Sequence, residues 1–197
     1  MNFLAHAYLS FNHPEILVGN MISDFVKGKK KFDYSQGVQQ GIFLHRQIDA
    51  FTDSHKATKE AAKFLKPAVG LYAGAFVDVA YDHFLANDLD EFTDQSLQQH
   101  AIKTYGILTD YYHVLPAPFQ SLLLYMQSQN WLYNYKSVEG TKRSFDGVVR
   151  RATYLNSSTE VFDLFKKHYT SLQMCYNSFF PFVKEFAGCE CKQITNK

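Results

Sequence analysis

The segment Gly41–His55, GIFLHRQIDAFTDSH, carries an apolar stripe at helical spacing that turns polar part-way along. Val38 and Ile42 begin the stripe, and the next positions of the same face hold His45, Asp49 and Thr52, with Asp53 beside the last. Apart from Gly41, nothing between Val38 and Thr52 breaks a helix, so the spacing predicts one. Ionisable side chains are rarely buried unless they are paired or bound to a metal. His45 and Asp49 stand at i and i+4 and project to one side, one turn apart. An imidazole and a carboxylate so placed can share one cation. For one segment alone, a structural His–Asp pair that pins the helix is the alternative.

The anomaly recurs. In Leu71–Ala86, LYAGAFVDVAYDHFLA, the stripe reads Leu71, Ala75, Asp78, Asp82, Leu85, and His83 follows directly. Two weaker echoes lie upstream: Asn2 and His6 are four apart in the apolar opening, and Asn20 and Asp24 are four apart in VGNMISDFV. Polar pairs on four apolar segments point to one buried polar centre.

The rest of the chain is helical and chemically quieter. Predicted helices cover residues 2–10, Pro14 to about Val26, Gln36 to about Thr52 with Ser35 as cap, and Lys56 to about Leu65, where Pro67 should stop the helix. Others follow at about 68–88, Ser96–Tyr112, Phe119–Gln129 and Val138–Thr153, and one long final helix runs from Ser158 to Phe186, kinked or ended by Pro181. No strand alternation, internal repeat or low-complexity tract is present. The expected fold class is all-α, a single-domain helical bundle of about seven to nine helices over residues 1–188. Residues 189–197 form a tail without an assigned role.

Composition narrows the function classes. The 197 residues are enough to bury a substantial core. A net charge of +1 argues against a general nucleic-acid binder. No apolar run reaches the ~18 residues of a membrane span, and the opening MNFLAHAYLS lacks the basic start of a signal peptide. Cys175, Cys189 and Cys191 make neither a disulfide framework nor a convincing zinc site. A reducing cytoplasm is the expected location.

Histidines and carboxylates without nearby cysteines select a borderline or hard divalent ion; Mn²⁺, Mg²⁺, Fe²⁺ and Zn²⁺ all qualify. Such an ion makes hydroxide available near neutral pH and neutralises charge on phosphoryl oxygens. The remaining carboxylates can orient water or pass a proton to a leaving group. The chain has no glycine-rich phosphate loop and no serine or cysteine nucleophile in a recognisable context. A basic loop, Lys27, Lys29, Lys30 and Lys31, begins three residues after Asp24; Arg46 neighbours His45, and Arg143, Arg150 and Arg151 form a second basic group. These charges suit steering of an acidic macromolecule. A merely solvated surface is the alternative.

MNFLAHAYLS, LVGNMISDFVKG, GIFLHRQIDAFTDSH and AGAFVDVAYDHFLA, with NWLYNYKSVEGTKRSF later, together resemble the acyl-carrier-protein phosphodiesterases, or ACP hydrolases. The resemblance runs in order over roughly residues 1–150. It implies an all-α fold related to the HD-type metal phosphohydrolases. It also implies removal of the 4′-phosphopantetheine arm from holo-acyl carrier protein to give the apo form, usually with Mn²⁺. Position by position it picks out His6, Asp24, His45, Asp49, Asp53, His55, Asp78, Asp82 and His83. Asp24, His45, Asp49, Asp82 and His83 are the expected catalytic residues, and Asp24, His45, Asp49, Asp78, Asp82 and His6 the expected metal ligands. Asp53 and His55 sit at the helix end as a cap or a supporting group. Lys27, Lys29, Lys30, Lys31 and Arg46 are expected to bind the carrier. Two other readings stay open: a phosphohydrolase acting on a nucleotide or other small phosphoester, and a non-enzymatic helical binding module. Oligomeric state is not readable from the chain.

Overall fold

The computed structural model describes residues 1–195. Within them lie twelve α-helices and no strand: α1 (Phe3–Tyr8), α2 (Pro14–Ile22), α3 (Gln36–Ser54), α4 (Lys56–Val69), α5 (Ala73–Ala86), α6 (Asp94–Asp110), α7 (Ala117–Ser128), α8 (Trp131–Asn134), α9 (Val138–Arg151), α10 (Thr159–Lys167), α11 (Tyr169–Asn177) and α12 (Phe180–Thr195). The all-α expectation holds. The helices outnumber the seven to nine expected, chiefly because the long final helix is three, broken at His168 and at Ser178–Phe179. Pro181 causes neither break. It sits in the first turn of α12, where its missing N–H costs nothing.

The centre of the fold is α5. Every residue from Val79 to Ala86 is buried, and α1, α4, α9 and α11 pack around it. Phe76 of α5 meets Phe145 of α9 edge to face at 4.9 Å, and Tyr81 stacks on Phe179 at 5.1 Å.

α2 and α3 form the second packing unit. They cross at Gly19 and Gly41, where a Cβ on Gly41 would sit 2.2 Å from the Ile16 carbonyl oxygen. This close crossing sets the end of α2 beside the middle of α3. The helix expected to run to Val26 ends at Ile22 and tightens into a 3₁₀ turn over Ser23–Phe25. The lysine loop is itself a 3₁₀ segment, Gly28–Asp33. Ser35 caps α3 as expected, accepting from the Val38 N–H at 3.5 Å. α4 continues past Pro67 to Val69, because the bond lost there falls in the exposed last turn. Residues 189–195 continue α12 along α3: Cys191 is buried, and Gln40 Nε2 donates to the Ile194 carbonyl at 2.5 Å. Residues 196 and 197 of the expected tail lie outside the described residues.

Candidate active site

α1 is too short to hold together by itself, and its Asn2 cap makes no side-chain capping bond. Its start is secured from another helix. The buried Asp82 carboxylate of α5 accepts from the backbone N–H of Leu4 at 2.7 Å, of Ala5 at 3.2 Å and of Asn2 at 3.3 Å. Those amides would otherwise lack partners at a buried helix end. Burial pushes the Asp82 carboxyl up to about 7 against the pull of the three amides. On the other side, Asn20 of α2 donates to the His6 carbonyl at 3.0 Å and to Ser10 Oγ at 3.1 Å. α1 is thereby fixed between α2 and α5, with His6 facing α3.

His6 meets the polar face of α3 there. Its ring stacks on that of His45, with centroids 4.0 Å apart and planes 18° from parallel. Asp49 lies between the two imidazoles, with Oδ1 3.2 Å from His6 Nε2 and Oδ2 3.0 Å from His45 Nε2. Asp24, carried by the 3₁₀ turn after α2, brings Oδ1 within 3.3 Å of His45 Nε2 from the exposed rim. Both histidines are buried, whereas the Asp24 side chain is 78% exposed.

The two imidazoles differ in charge preference. Burial lowers His6 to about 4, aided by His45 and only partly opposed by Asp49. Burial works against charge on His45 too, but the hydrogen-bonded carboxylates of Asp24 and Asp49 outweigh it and raise His45 to about 9. Asp49 is held well below the usual carboxylate range: burial favours its acid form, and the bonds to His45 and His6 overcome that. Asp24 is also lowered, first by its hydrogen bond to His45. The centre is thus a stacked pair of unlike histidines bracketed by anionic carboxylates.

A further charge joins them. The α-ammonium group of Met1 is buried and donates to Asp78 Oδ1 at 2.9 Å and Asp49 Oδ1 at 3.5 Å. Burial lowers its basicity, but Asp78 and Asp49 more than compensate and raise it to about 10. Burial raises Asp78 even against that neighbour.

Donor atoms of His6, His45 and Asp49 all lie within 4.8 Å of one another and could hold a metal ion. The Asp49 carboxylate reaches both imidazoles, through Oδ1 to His6 Nε2 at 3.2 Å and through Oδ2 to His45 Nε2 at 3.0 Å. Two imidazole nitrogens and a carboxylate form a donor set suited to borderline divalent ions. Among the described residues this is the only such cluster of three. Asp24 is placed to join it from the rim.

Not every expected residue reaches this centre. His6, Asp24, His45 and Asp49 converge, and Asp78 touches it through the Met1 ammonium group. Asp82 does not: its oxygens accept from the amides of α1 and anchor that helix. His83 is engaged elsewhere. It lies about 100° around α5 from Asp82, with Nδ1 2.7 Å from the Tyr135 carbonyl and Nε2 2.8 Å from Tyr169 Oη, so it joins α5 to α8 and α11. His55 caps α4, its Nδ1 accepting from the Ala57 N–H at 3.2 Å, and Asp53 is exposed. Lys27, Lys29 and Lys30 are exposed and Lys31 half-buried on the 3₁₀ segment beyond Asp24. Arg46 donates to the Val26 carbonyl at 3.2 Å, bracing the turn that carries Asp24.

The histidine centre opens into a cavity of about 360 Å³ lined by His6, Asp24, His45 and Asp78 together with Asn2, Phe3 and Arg151. Those three residues also line a larger cavity of about 620 Å³ between α7, α8 and α9. The Met1 ammonium group escaped the sequence reading, and Arg151 entered it only as one of the basic group Arg143, Arg150 and Arg151, without a link to the histidine centre.

Fold and site together define an all-α protein with a histidine–carboxylate centre, open to solvent, that can accept a divalent ion. The chain belongs to the acyl carrier protein phosphodiesterase family, whose model matches residues 1–183. It is similar to acyl carrier protein phosphodiesterases of Klebsiella pneumoniae strain 342 (32% identical over 203 residues, 98% of this chain and 100% of the relative) and of Photorhabdus laumondii (29% over 188 residues, 95% of each). A Yersinia pestis protein of the same name is 32% identical over 185 residues, covering 92% of this chain and 94% of the relative. No solved structure matches the chain. No described helix is long and apolar enough to cross a membrane.

Proposed function

We propose that this protein hydrolyses the phosphodiester that joins the 4′-phosphopantetheine arm to holo-acyl carrier protein. Water adds to phosphorus, the bond to the carrier's hydroxyl oxygen breaks, and 4′-phosphopantetheine and apo-carrier are released. The observation that carries the reading is the convergence of His6, His45 and Asp49 in an open cavity, in a chain of this family.

His6, His45 and Asp49 would hold a divalent ion, Mn²⁺ first among Mg²⁺, Fe²⁺ and Zn²⁺, with Asp24 completing the set. Bound there, the ion would supply hydroxide near neutral pH and offset charge on the phosphoryl oxygens. Asp24 is anionic, exposed and hydrogen-bonded to His45, so it is placed to take a proton from the attacking water. Asp78 and the Met1 ammonium group hold Asp49 in position. Arg151 lines the same cavity, and its guanidinium suits a phosphate bound there. Lys27, Lys29, Lys30 and Lys31 flank the rim and suit an acidic carrier surface. The HD-type relation is the family expectation for such a centre, and the cytoplasm is where its substrate would be met.

The test is turnover of purified holo-carrier by metal-stripped protein, with and without Mn²⁺, beside an Asp49→Asn control. Release of phosphopantetheine only with metal, lost in the control, is the expected result. No release with any divalent ion, from protein shown to be folded, overturns the reading.

A further inference from the structure

The larger cavity has no part in the chemistry above. It is walled by the apolar and aromatic side chains of Phe3, Leu122, Tyr125 and Trp131, with helix α9 as its floor. Its volume of about 620 Å³ falls within the ~300–1,000 Å³ of small-molecule sites. Asn2, Phe3 and Arg151 border it and the histidine cavity alike, so the two cavities adjoin and Arg151 lines both.

Charge is arranged along these cavities. Arg150 and Arg151 are exposed and have no ion-pair partner among the described residues, whereas Arg143 pairs with Glu139 at 3.6 Å. Asp146, also on the wall, is engaged by Lys142 at 2.7 Å. Free cationic charge thus lies on α9, with Arg151 bordering both cavities and Arg150 the larger one, whose apolar lining comes from Phe3, Leu122, Tyr125 and Trp131. A ligand that matches this order has an anionic phosphate at one end and a long uncharged, amphiphilic chain behind it.

α9 presents a glycine to this chamber. A Cβ at Gly147 would meet only Arg150 Nη2, at 3.6 Å, which is ordinary contact. The helix can therefore accept a side chain there, and the space is left open at the chamber floor. Gly140 on the same helix is different, since a Cβ there would sit 2.0 Å from the Asn134 carbonyl oxygen. One glycine is required by packing, and the other only by the cavity.

We propose that the chamber between α7, α8 and α9 is the subsite for the pantetheine arm, with Arg151, which borders both cavities, gripping its phosphate. The inference rests on the hydrolase reading for the identity of the ligand. It adds the direction in which the substrate lies: carrier on the Asp24 and lysine side, scissile phosphodiester over the histidine pair, arm in the chamber.

The experiment is calorimetric binding of 4′-phosphopantetheine and of pantetheine to the full chain, with holo-carrier turnover measured in parallel. The proteins are wild type, Gly147→Trp and Arg151→Gln. Wild type is expected to bind both ligands. Gly147→Trp should weaken both by tenfold or more, with an unchanged circular dichroism spectrum and a helix as stable as before. Arg151→Gln should weaken 4′-phosphopantetheine by about tenfold or more and pantetheine by less than twofold, since a charge-assisted contact to the phosphate is lost. No binding to wild type, or wild-type affinity in folded Gly147→Trp, overturns the subsite. Binding that follows this pattern with no turnover of holo-carrier keeps the subsite and sinks the hydrolase reading.

Discussion

Gly19 and Gly41 touch backbone to backbone where α2 and α3 cross, with a Cβ on Gly19 only 2.0 Å from the Val38 carbonyl oxygen and one on Gly41 only 2.2 Å from that of Ile16. The obstacle on each side is backbone, which cannot turn aside. Gly41→Ala should therefore part the helices and cost about 3 kcal/mol, against the small gain in helix propensity that alanine usually brings. Urea unfolding would show this as a lower midpoint at unchanged slope. Because the crossing sets Asp24 beside His45, Mn²⁺ affinity should fall together with stability.

Asp82 offers a separate test of how the site is held. Asp82→Asn keeps one acceptor but turns an amide group toward N–H donors of α1. Leaving a buried donor unsatisfied costs about 1–3 kcal/mol, so a loss of about 2 kcal/mol in stability is expected. Hydrogen exchange at Leu4 and Ala5 should rise first. If Asp82 were itself a metal ligand, Mn²⁺ binding would vanish while the α1 amides stayed protected.

Removal of a proposed ligand should act differently. Asp49→Asn should lower Mn²⁺ affinity by more than the ~10–100-fold typical of losing a supporting group around a metal, read by calorimetry on metal-stripped protein. His83→Gln, which removes a bridge from α5 to Tyr135 and Tyr169, should lower thermal stability and leave Mn²⁺ affinity within about twofold, far inside that range.

Docking of the carrier can be read from kinetics. Lys29, Lys30 and Lys31 changed together to Glu should raise KM for holo-carrier and lower its on-rate, most at low salt, with hydrolysis of a small phosphodiester spared. Equal loss on both substrates would place the lysines in some other role.

Acid stability should carry the mark of His100. Its ring lies among Tyr8 and Phe92, and burial, with Lys103 nearby, lowers it to about 4 from an ordinary 6.5. The unfolded chain then binds more protons between those values. Stability is full above about pH 6.5 and declines as pH falls toward 4, by about 3 kcal/mol from this group. His100→Phe should flatten that part of the stability–pH curve relative to wild type. An unchanged slope in urea titrations at pH 4.5–6.5 would refute the assignment.

Much of the site was legible because it lies on one stripe. His45 and Asp49 interrupt an apolar face at helical spacing, and the same rule found Asp24 and His6. It did not separate Asp78 from Asp82, for a geometric reason. Residues four apart share a face but lie about 6 Å apart along the axis. Asp78 therefore reaches the histidine centre, and Asp82, one turn on, meets the start of α1. Periodicity gives the side of a helix and not the neighbour met at each turn. His83 was drawn in by adjacency alone, and one residue's rotation sends it to the opposite packing surface. The breaks in the final helices were equally hidden. No glycine or proline marks His168. The chain turns there where Tyr169 reaches His83, and Tyr176 donates to Asp88 at 3.0 Å beyond it. These are long-range contacts that no local window contains.

The anchoring of α1 by Asp82 also bears on the order in which the molecule is made. Leu4 and Ala5 find their acceptor 78 and 77 residues later in the chain. At synthesis rates of about 5–20 residues per second that is a wait of roughly 4–15 s, longer still while α5 clears the ribosome. During that interval the segment that carries His6 has no helix end to rest on. The residues of α1 are therefore among the last to settle, and the candidate active site closes only when the central helix arrives.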